Sequence, residues 1–400
     1  MEKAVIVEKQ RIRPVTYGLA LYLLLIPLDF FSLGSIGSLL KIIVFIPLGL
    51  ALLDFKYLRI QLCPLVVVQM LFWLLAVASL FYSVNADLTI FSLKPLTLNL
   101  LLVLCLGVLV KYNQREMQLI QKTLIVSGWF TILLMLLFSD LSQGARLTLN
   151  IGGSLQDQNY INAYFLYTFS WHCSRMLTGN KKLHIIPVLF VIFVVLLTGS
   201  RGALLSFILV LFVHICIGFS RTKHMIRNIA LSALLIVFLL VLFEVFLTQM
   251  PESIAERFSP DYIAEQGTTG RMQIWSFLWQ HFSESSILRM FFGCGYETTQ
   301  YVNTLNGKVA HNLYLDILIS MGLIGLFLQI MSQVMVLVIF LKKKEYAAFG
   351  MFAGLMCMCL SLSLVSHKSL WGMVLIAFIL EFNSSMVKHN NQNGKTVLSS

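Results

Sequence analysis

The sequence has few charged residues for its length. Only 12% of its 400 residues are Asp, Glu, Lys or Arg, whereas 58% are hydrophobic and the mean hydropathy is +0.84. A soluble domain of this size needs more polar side chains to cover its surface. The composition therefore excludes a soluble globular protein. It predicts an all-α integral membrane protein, a polytopic helical bundle formed by residues 1–400 as a single domain.

Motifs that would indicate a metal or a nucleotide are also missing. The sequence contains no DxD pair for a metal-held nucleotide sugar, no P-loop for ATP and no HExxH for zinc. Most of the seven cysteines lie in or beside apolar runs, Cys294 lies in a polar segment, and no CxxC pair occurs. We therefore expect no metal site, no cofactor and no disulfide framework.

Long apolar runs are what the sequence has instead. Separated by short polar loops, they predict about twelve membrane-spanning helices: 15–33, 37–53, 62–82, 92–110, 117–138, 159–177, 183–198, 202–220, 229–248, 311–341, 346–365 and 369–387. No internal repeat is visible. The first run lacks a small-residue cleavage site and is followed by further runs, so we expect it to remain as a helix.

The distribution of Lys and Arg predicts the orientation of the bundle. The N-terminus, the C-terminal tail and alternate loops carry 20 of these residues, whereas the opposite set of loops carries 8. Positive charge concentrates on the cytoplasmic side of membrane proteins. We therefore predict that the protein lies in the cytoplasmic membrane with both termini in the cytoplasm. The net charge of +11 thus indicates loops that contact anionic lipid headgroups rather than a protein that binds nucleic acid.

Two polar segments differ from the short loops. Residues 249–310 form a large extracytoplasmic segment, too long for a structureless loop, in which 254–258 and 271–282 have the spacing of short amphipathic helices. Residues 388–400 are polar and are predicted to be a disordered cytoplasmic tail. Polar groups that could perform chemistry are therefore expected on the outer face.

His311 opens the stretch around which we interpret the chain. It ends the long polar segment and precedes an apolar run, and its spacing is His311, Asn312, nine residues, Gly322, two residues and Gly325. An imidazole there can transfer protons, although His311-Asn312 taken alone is also explained as a helix cap at the membrane surface. Asp316 lies about 140° from His311 around a helix, which argues against direct orientation of the imidazole.

This spacing resembles the pattern H-[NSQ]-x9-G-x-x-[GTV] of the O-antigen ligase family and the related polysaccharide polymerases. Arg201, in the turn Thr198-Gly199-Ser200-Arg201-Gly202, is similar to a short arginine turn in these families. Arg271, which follows Gly270, also resembles a family position. By their chemistry alone, the two arginines could bind an anion or could simply contact lipid headgroups and solvent.

Other outer-face residues could contact sugars. Gly293-Cys294-Gly295-Tyr296 resembles a G-x-G-[FY] turn of the family, and Asp157, Asn159 and Tyr160 resemble its D-x-N segment. Amides, carboxylates and phenols suit sugar hydroxyls, but Asp157 or Asn159 would also cap a helix. Asp157, Asn159, Tyr160, Tyr296 and Asn312 are our candidate substrate-binding residues.

The resemblance implies a membrane glycosyltransferase that moves a glycan from undecaprenyl diphosphate to an acceptor hydroxyl at the outer face of the cytoplasmic membrane. It implies catalytic roles for His311, Arg201 and Arg271, with a glycan or lipid-linked acceptor and membrane lipid as partners. Ligase and polymerase are not separated by the sequence. A flippase for lipid-linked oligosaccharides is the alternative, for which an internal repeat and a charged midplane cavity would be expected. A non-catalytic scaffold, in which His311 is dispensable, is a third possibility.

Overall fold

The computed structural model describes residues 11–31, 38–54, 62–139, 146–151, 154–177, 181–219, 248, 252–259, 270–305 and 307–396. These residues are almost entirely helical. In these ranges, the only sheet is a two-stranded antiparallel hairpin of β1 (Asn150–Ile151) and β2 (Ser154–Leu155), in which Asn150 pairs with Leu155.

The helices follow the apolar runs of the sequence. They are α1 (Pro14–Leu25), α2 (Leu39–Ile43), α3 (Phe45–Leu52), α4 (Pro64–Ala78), α5 (Ala86–Leu102), α6 (Gln114–Phe138), α7 (Asn162–Leu177), α8 (Ile185–Leu197), α9 (Arg201–Phe219), α10 (Glu252–Ala255), α11 (Arg271–Ser283), α12 (Ile287–Phe292), α13 (Thr299–Val302), α14 (Leu313–Lys342), α15 (Tyr346–Met358) and α16 (Lys368–Thr396). Short 3₁₀ turns extend several ends, and a π-helix, Val103–Leu109, continues α5.

Among the described residues, five helices are long and apolar enough to cross a membrane: Pro64–Phe81, Ala86–Leu109, Gln114–Phe138, Arg201–Gly218 and Leu313–Lys342. Four shorter apolar helices accompany them: Pro14–Leu28, Leu39–Leu52, Lys182–Leu197 and Tyr346–Met358. The chain is therefore an all-α membrane protein, as predicted, but the count of twelve spans is not confirmed. The predicted span 229–248 lies outside the described residues, apart from residue 248.

Helix α7 lies at the centre of the bundle and packs against α6, α8, α9 and α15. Its Phe165 and Phe169 contact Phe207 of α9, with ring centroids 5.6 and 4.9 Å apart. Glycines allow α15 to approach closely, since a side chain at Gly350 or Gly354 would collide with neighbouring helices. The core thereby fixes α7, whose N-terminal end carries several candidate residues.

The predicted continuous span 311–341 is broken in the structure. Gly322 has φ 66° and ψ −167°, a conformation that only glycine adopts readily, and an added Cβ would collide with the backbone of Phe291. The hydroxyl of Tyr314 nevertheless donates a hydrogen bond to Oε1 of Gln333, at 3.1 Å. Nineteen residues of straight helix would span about 28 Å, so the first part of α14, 313–321, folds back along the second part.

The break leaves backbone carbonyls without helical partners, and the outer segment supplies hydrogen bonds to them. The N–H groups of Cys294 and Gly295 donate to the carbonyls of Ile319 and Ser320, each at 3.0 Å. The carbonyl of Cys294 in turn accepts from the N–H of Val84, at 2.9 Å. The segment from α12 to α13 is therefore tied to the broken helix on one side and to the start of α5 on the other.

Helices occur where the outer segment was predicted to have them. A helical turn at Glu252–Ala255 continues as a 3₁₀ turn to Phe258, and α11 begins at Arg271 and ends at Ser283. At the other end of the chain, the backbone of α16 is helical to Thr396 and so extends through most of the polar stretch that starts at Lys388.

Candidate active site

His311 lies directly before the folded-back part of α14. Its φ is 51°, a left-handed conformation that is uncommon for a residue other than glycine, and its side chain is half-buried. Strained non-glycine residues of this kind cluster at functional sites. Because residues 313–321 fold back, the imidazole of His311 lies beside the bundle and not at the far end of a straight helix.

Asn312 caps this helix. Its Oδ1 accepts hydrogen bonds from the N–H groups of Tyr314 and Leu315, at 3.0 and 3.2 Å. The capping interpretation of Asn312 is therefore correct, whereas its contact with substrate stays a prediction.

Asp316 fixes the backbone next to His311 instead of orienting the imidazole. Its Oδ1 accepts from the N–H of Ala310 at 2.8 Å, and its Oδ2 accepts from the hydroxyl of Ser363. The carbonyl of Asp316 also accepts from the hydroxyl of Thr299, at 3.1 Å. Asp316 thereby links Ala310, helix α13 and the connection 359–367. Its spacing from His311 in the sequence did not indicate this positioning role.

Charges from separate elements act on His311. Burial lowers the pKa of the imidazole below its usual value near 6.5, Arg271 and Lys308 lower the pKa further, and Asp157 raises it. Burial and nearby cations both disfavour the imidazolium, so they favour the neutral imidazole. The structure thus brings together three predicted site residues from three different elements: His311, Arg271 of α11 and Asp157 before α7.

Arg201 is the first residue of α9, after a turn in which Gly199 has φ 58°. The turn is bound to the segment before α7, because Ser200 donates through its hydroxyl to Oδ1 of Asn159, at 2.9 Å. Arg146 strengthens the connection through its guanidinium, which donates to the carbonyl of Thr198 at 2.6 Å and to Oδ1 of Asn159 at 3.3 Å. The turn that precedes Arg201 is therefore held against the turn that contains Asp157 and Asn159. The sequence did not single out Arg146.

Asp157, Asn159 and Tyr160 form the turn that leads into α7. Oδ1 of Asp157 accepts from the N–H of Asn159 at 2.6 Å, as in a capping turn. The hydroxyl of Tyr160 is hydrogen-bonded to the backbone of Ser363, and its ring lies 5.9 Å from that of His367. Asp157 is exposed and Tyr160 half-buried, so both remain able to meet a substrate.

Tyr296 was predicted to bind substrate, but the structure buries it. Only 1% of its surface is exposed, its ring packs edge-on against Phe72 with centroids 6.4 Å apart, and its hydroxyl lies 3.4 Å from that of Ser366. A side chain enclosed in this way packs the bundle rather than contacting a sugar. The correction arises from residues far away in the sequence, which the local turn pattern could not reveal.

Glu297, the next residue, was not identified from the sequence. It has φ 61° and is half-buried, and burial together with the charge of Asp316 raises the pKa of its carboxyl to about 7. Its charge also acts on Tyr160. The available signal was an acidic residue directly after the Gly-x-Gly-Tyr turn, 293–296.

An apolar groove runs beside His311. It has a volume of about 300 Å³ and lies between α11 and α14. Its lining residues are Trp275, Trp279, Asn312, Tyr314, Leu315, Leu318 and Leu326. Within the described ranges, by contrast, no group of three His, Cys, Asp or Glu side chains could hold a metal ion. The site therefore combines a neutral imidazole, cations, sugar-compatible polar groups and an apolar surface within a membrane protein.

Comparison with known families supports this description. Residues 186–330 match the model of the O-antigen ligase family, which confirms the resemblance over that stretch, well under half of the chain. The stretch contains Arg201, Arg271 and His311. A comparison with curated proteins found no match. The family match indicates a membrane glycosyltransferase of the O-antigen ligase or polymerase type, with lipid-linked glycan and acceptor as its general partners.

Proposed function

We propose that the protein transfers a glycan from an undecaprenyl-diphosphate carrier to an acceptor hydroxyl at the outer face of the cytoplasmic membrane. The observation that carries this proposal is the half-buried His311, on which both Arg271 and Asp157 act, beside an apolar groove. The proposal places a proton acceptor, an anion-binding cation and a lipid-binding surface at one site.

His311 acts as the general base. Its lowered pKa keeps the imidazole unprotonated at neutral pH, as removal of a proton requires. The acceptor oxygen gives its proton to the imidazole and forms a bond to the anomeric carbon. The bond from that carbon to the diphosphate oxygen breaks, and its electron pair leaves with the diphosphate. A single displacement of this kind inverts the anomeric centre.

Arg271 and Arg201 bind the diphosphate. A guanidinium offers paired N–H donors that match phosphate oxygens and stabilise the negative charge that grows as the bond breaks. The charge of Arg271 acts on His311, and Arg201 directly follows Ser200, whose hydroxyl is hydrogen-bonded to Asn159. Activation is stored in the diphosphate leaving group, so the reaction requires neither ATP nor a metal ion.

The groove accepts the prenyl chain of the carrier. Trp275 and Trp279 of α11 face Leu315, Leu318 and Leu326 of α14 across it. Burial of apolar chain against these side chains favours binding, and Asn312 at the edge of the groove lies next to His311. The diphosphate of a bound carrier would therefore be held near the imidazole.

Reconstitution of the full chain in lipid vesicles tests the proposal. The donor is an undecaprenyl-diphosphate oligosaccharide, the acceptor is either lipid A core or a second carrier-linked glycan, and the buffer contains EDTA. We expect a new glycosidic bond, of inverted configuration by NMR, with one of the two acceptors; which acceptor reacts separates a ligase from a polymerase.

The same vesicles test the flippase alternative. A fluorescent carrier-linked sugar placed in one leaflet becomes accessible to a quencher in the other leaflet if the protein transports it. Transport without formation of a glycosidic bond would overturn our proposal in favour of the flippase.

A further inference from the structure

Glu297 occupies a backbone conformation that suits glycine better than glutamate. Its φ of 61° is left-handed, and two glycines that the chain uses for such conformations, Gly293 and Gly295, lie just before it. Glycine would avoid the steric strain that the Cβ of glutamate creates there. Strain of this kind persists where the side chain itself is needed.

The carboxylate of Glu297 has unused hydrogen-bonding capacity. In the part of the chain that the structure describes, no residue donates a hydrogen bond to it, and the charge that acts on it is the carboxylate of Asp316. Asp316 differs, because its two oxygens accept from the N–H of Ala310 and the hydroxyl of Ser363. A half-buried carboxylate without donors from the protein takes its hydrogen bonds from water or from a bound ligand.

The surroundings of Glu297 define which ligand that is. Its charge acts on Tyr160, and Asp157 and Asp316 act on the same phenol. The cations, Arg271 and Lys308, act on His311. Three carboxylates therefore act on Tyr160, whereas two cations and the single carboxylate of Asp157 act on His311. A diphosphate fits the cationic part, whereas a polyhydroxyl compound without negative charge fits the carboxylates and the phenol.

We propose that Glu297 is an acceptor-binding residue that receives hydrogen bonds from the hydroxyls of a neutral sugar and excludes acidic sugars from the acceptor position. The inference rests on the proposed function, since it assigns the second substrate of that same site. Tyr160 supplies the aromatic surface against which a sugar ring packs. Repulsion from Glu297, Asp157 and Asp316 disfavours a uronate in the same place.

The protonation of Glu297 makes the selectivity dependent on pH. Burial and the neighbouring Asp316 raise the pKa of its carboxyl to about 7. Above pH 7 the carboxyl is charged and repels a uronate, whereas below pH 7 it becomes neutral and the repulsion weakens. Asp157, Asp316, Tyr160 and His311 are the other titratable groups of this part of the site. The variant Glu297→Gln removes the contribution of Glu297 alone.

Binding of two simple probes to the full-length protein in lipid nanodiscs tests the inference. Methyl glucoside and methyl glucuronoside differ in one carboxylate, and saturation-transfer NMR reports the binding of each one. At pH 8 we expect the parent to prefer the neutral probe by roughly ten-fold or more, as for unscreened like charges at a partly buried site. In Glu297→Gln the preference should fall several-fold and lose its pH dependence near pH 7, and the preference that remains is due to Asp157 and Asp316. The matched control Glu284→Gln, an exposed carboxylate of the same segment, should behave as the parent.

A second variant separates the side chain from the backbone. Glu297→Gly relieves the strain at φ 61°, so its melting temperature should equal or exceed that of the parent, while binding of methyl glucoside weakens several-fold. Unchanged selectivity in Glu297→Gln, or a parent that binds neither probe or binds both equally, would overturn the inference. Neither probe requires a donor or a transfer step. A parent that selects the neutral probe but forms no glycosidic bond would therefore refute the proposed function and leave the sugar site standing.

Discussion

The two ends of the bundle use their polar residues differently. At the end predicted to face the cytoplasm, Arg13 forms ion pairs with Asp54 at 3.1 Å and Glu116 at 2.8 Å, and the side chain of Glu116 is fully buried. At the other end, α14 is broken and Glu297 and His311 are held in left-handed conformations. The first arrangement satisfies charges within the protein, whereas the second presents polar groups to a ligand.

Left-handed residues sharpen this contrast. Among the described residues, Lys344 is the third non-glycine residue with positive φ, and it follows Lys343, the C-cap of α14. Helices often end with a left-handed residue, so helix termination accounts for Lys344. It does not account for His311, which precedes a helix, or for Glu297, which lies between α12 and α13. Strain without a structural explanation is found at the candidate site.

The largest expected effect concerns which end faces outward. In intact spheroplasts, a cysteine introduced at Ser285 should react with a membrane-impermeant thiol reagent, whereas one at Lys343 should react only after the membrane is opened. The expectation follows from the excess of Lys and Arg on the Lys343 side. A variant with the native cysteines replaced provides the background. The reverse labelling pattern would place the candidate site in the cytoplasm and refute the outer-face proposal.

His311→Ala should reduce glycan transfer by roughly a hundred- to ten-thousand-fold, the usual effect of losing a general base. Insertion and donor binding should be retained, because the side chain is only half-buried. His281→Ala is the matched control, since His281 belongs to the same outer segment and lies next to Cys294. Transfer within a few-fold of the parent by a normally inserted His311→Ala protein would remove the imidazole from the mechanism.

Arg201→Lys should lose at least about ten-fold in transfer although the charge is kept, because an ammonium cannot replace the paired N–H donors of a guanidinium on a diphosphate. Initial rates at saturating donor give the comparison. Arg115→Lys, on the predicted cytoplasmic loop, is the control and should transfer at the parental rate. If Arg201→Lys also does so, Arg201 contacts lipid headgroups and the diphosphate is bound elsewhere.

Gly322→Ala should destabilise the outer end by about 1–3 kcal/mol, because alanine is strained at φ 66° and its Cβ would collide with the backbone of Phe291. Gly49→Ala is the control, since a Cβ at Gly49 meets nothing within 4 Å. Thermal aggregation in detergent measures both variants. Equal stability of Gly322→Ala and the parent would show that the break in α14 does not depend on glycine.

The sequence predicted the class of protein and most helix positions, because hydropathy is a local property. It named Arg271, Asp157 and His311 as site residues from a family resemblance, but it did not predict that they lie close together, because they belong to three different elements. It did not predict the break in α14, since an apolar run with only two glycines, Gly322 and Gly325, is interpreted as a continuous helix. The sequence identified Gly322 only as part of the spacing of a family pattern. The structure shows why glycine is needed there, because φ is positive and a Cβ would collide with Phe291.

Long-range packing explains the other differences. Tyr296 is buried by Phe72 and Ser366, and Glu297 gains its properties from Asp316 and Tyr160. None of these partners is near in sequence. The environment of a single residue in a turn depends on which helices meet there, and that information is absent from local spacing.

The smallest expected effect is a shift in pH dependence. Burial, followed by Arg271 and Lys308, lowers the pKa of His311 below its usual value. Because the neutral imidazole is the active form, transfer should fall as the pH decreases through this lowered pKa and stay level above it. Arg271→Gln removes one cation that disfavours the imidazolium, so the pKa should rise and the acid limb of the profile should move to higher pH. Lys308→Gln should move it in the same direction by less, since Lys308 is exposed and its charge is screened by solvent. The profile of transfer at saturating donor between pH 4.5 and 8.5, a range of about two units on either side of an ordinary histidine, measures both shifts. An acid limb at the same pH in the parent and in Arg271→Gln would show that Arg271 does not act on the titrating group. His311 would then be excluded as the base that limits transfer at low pH.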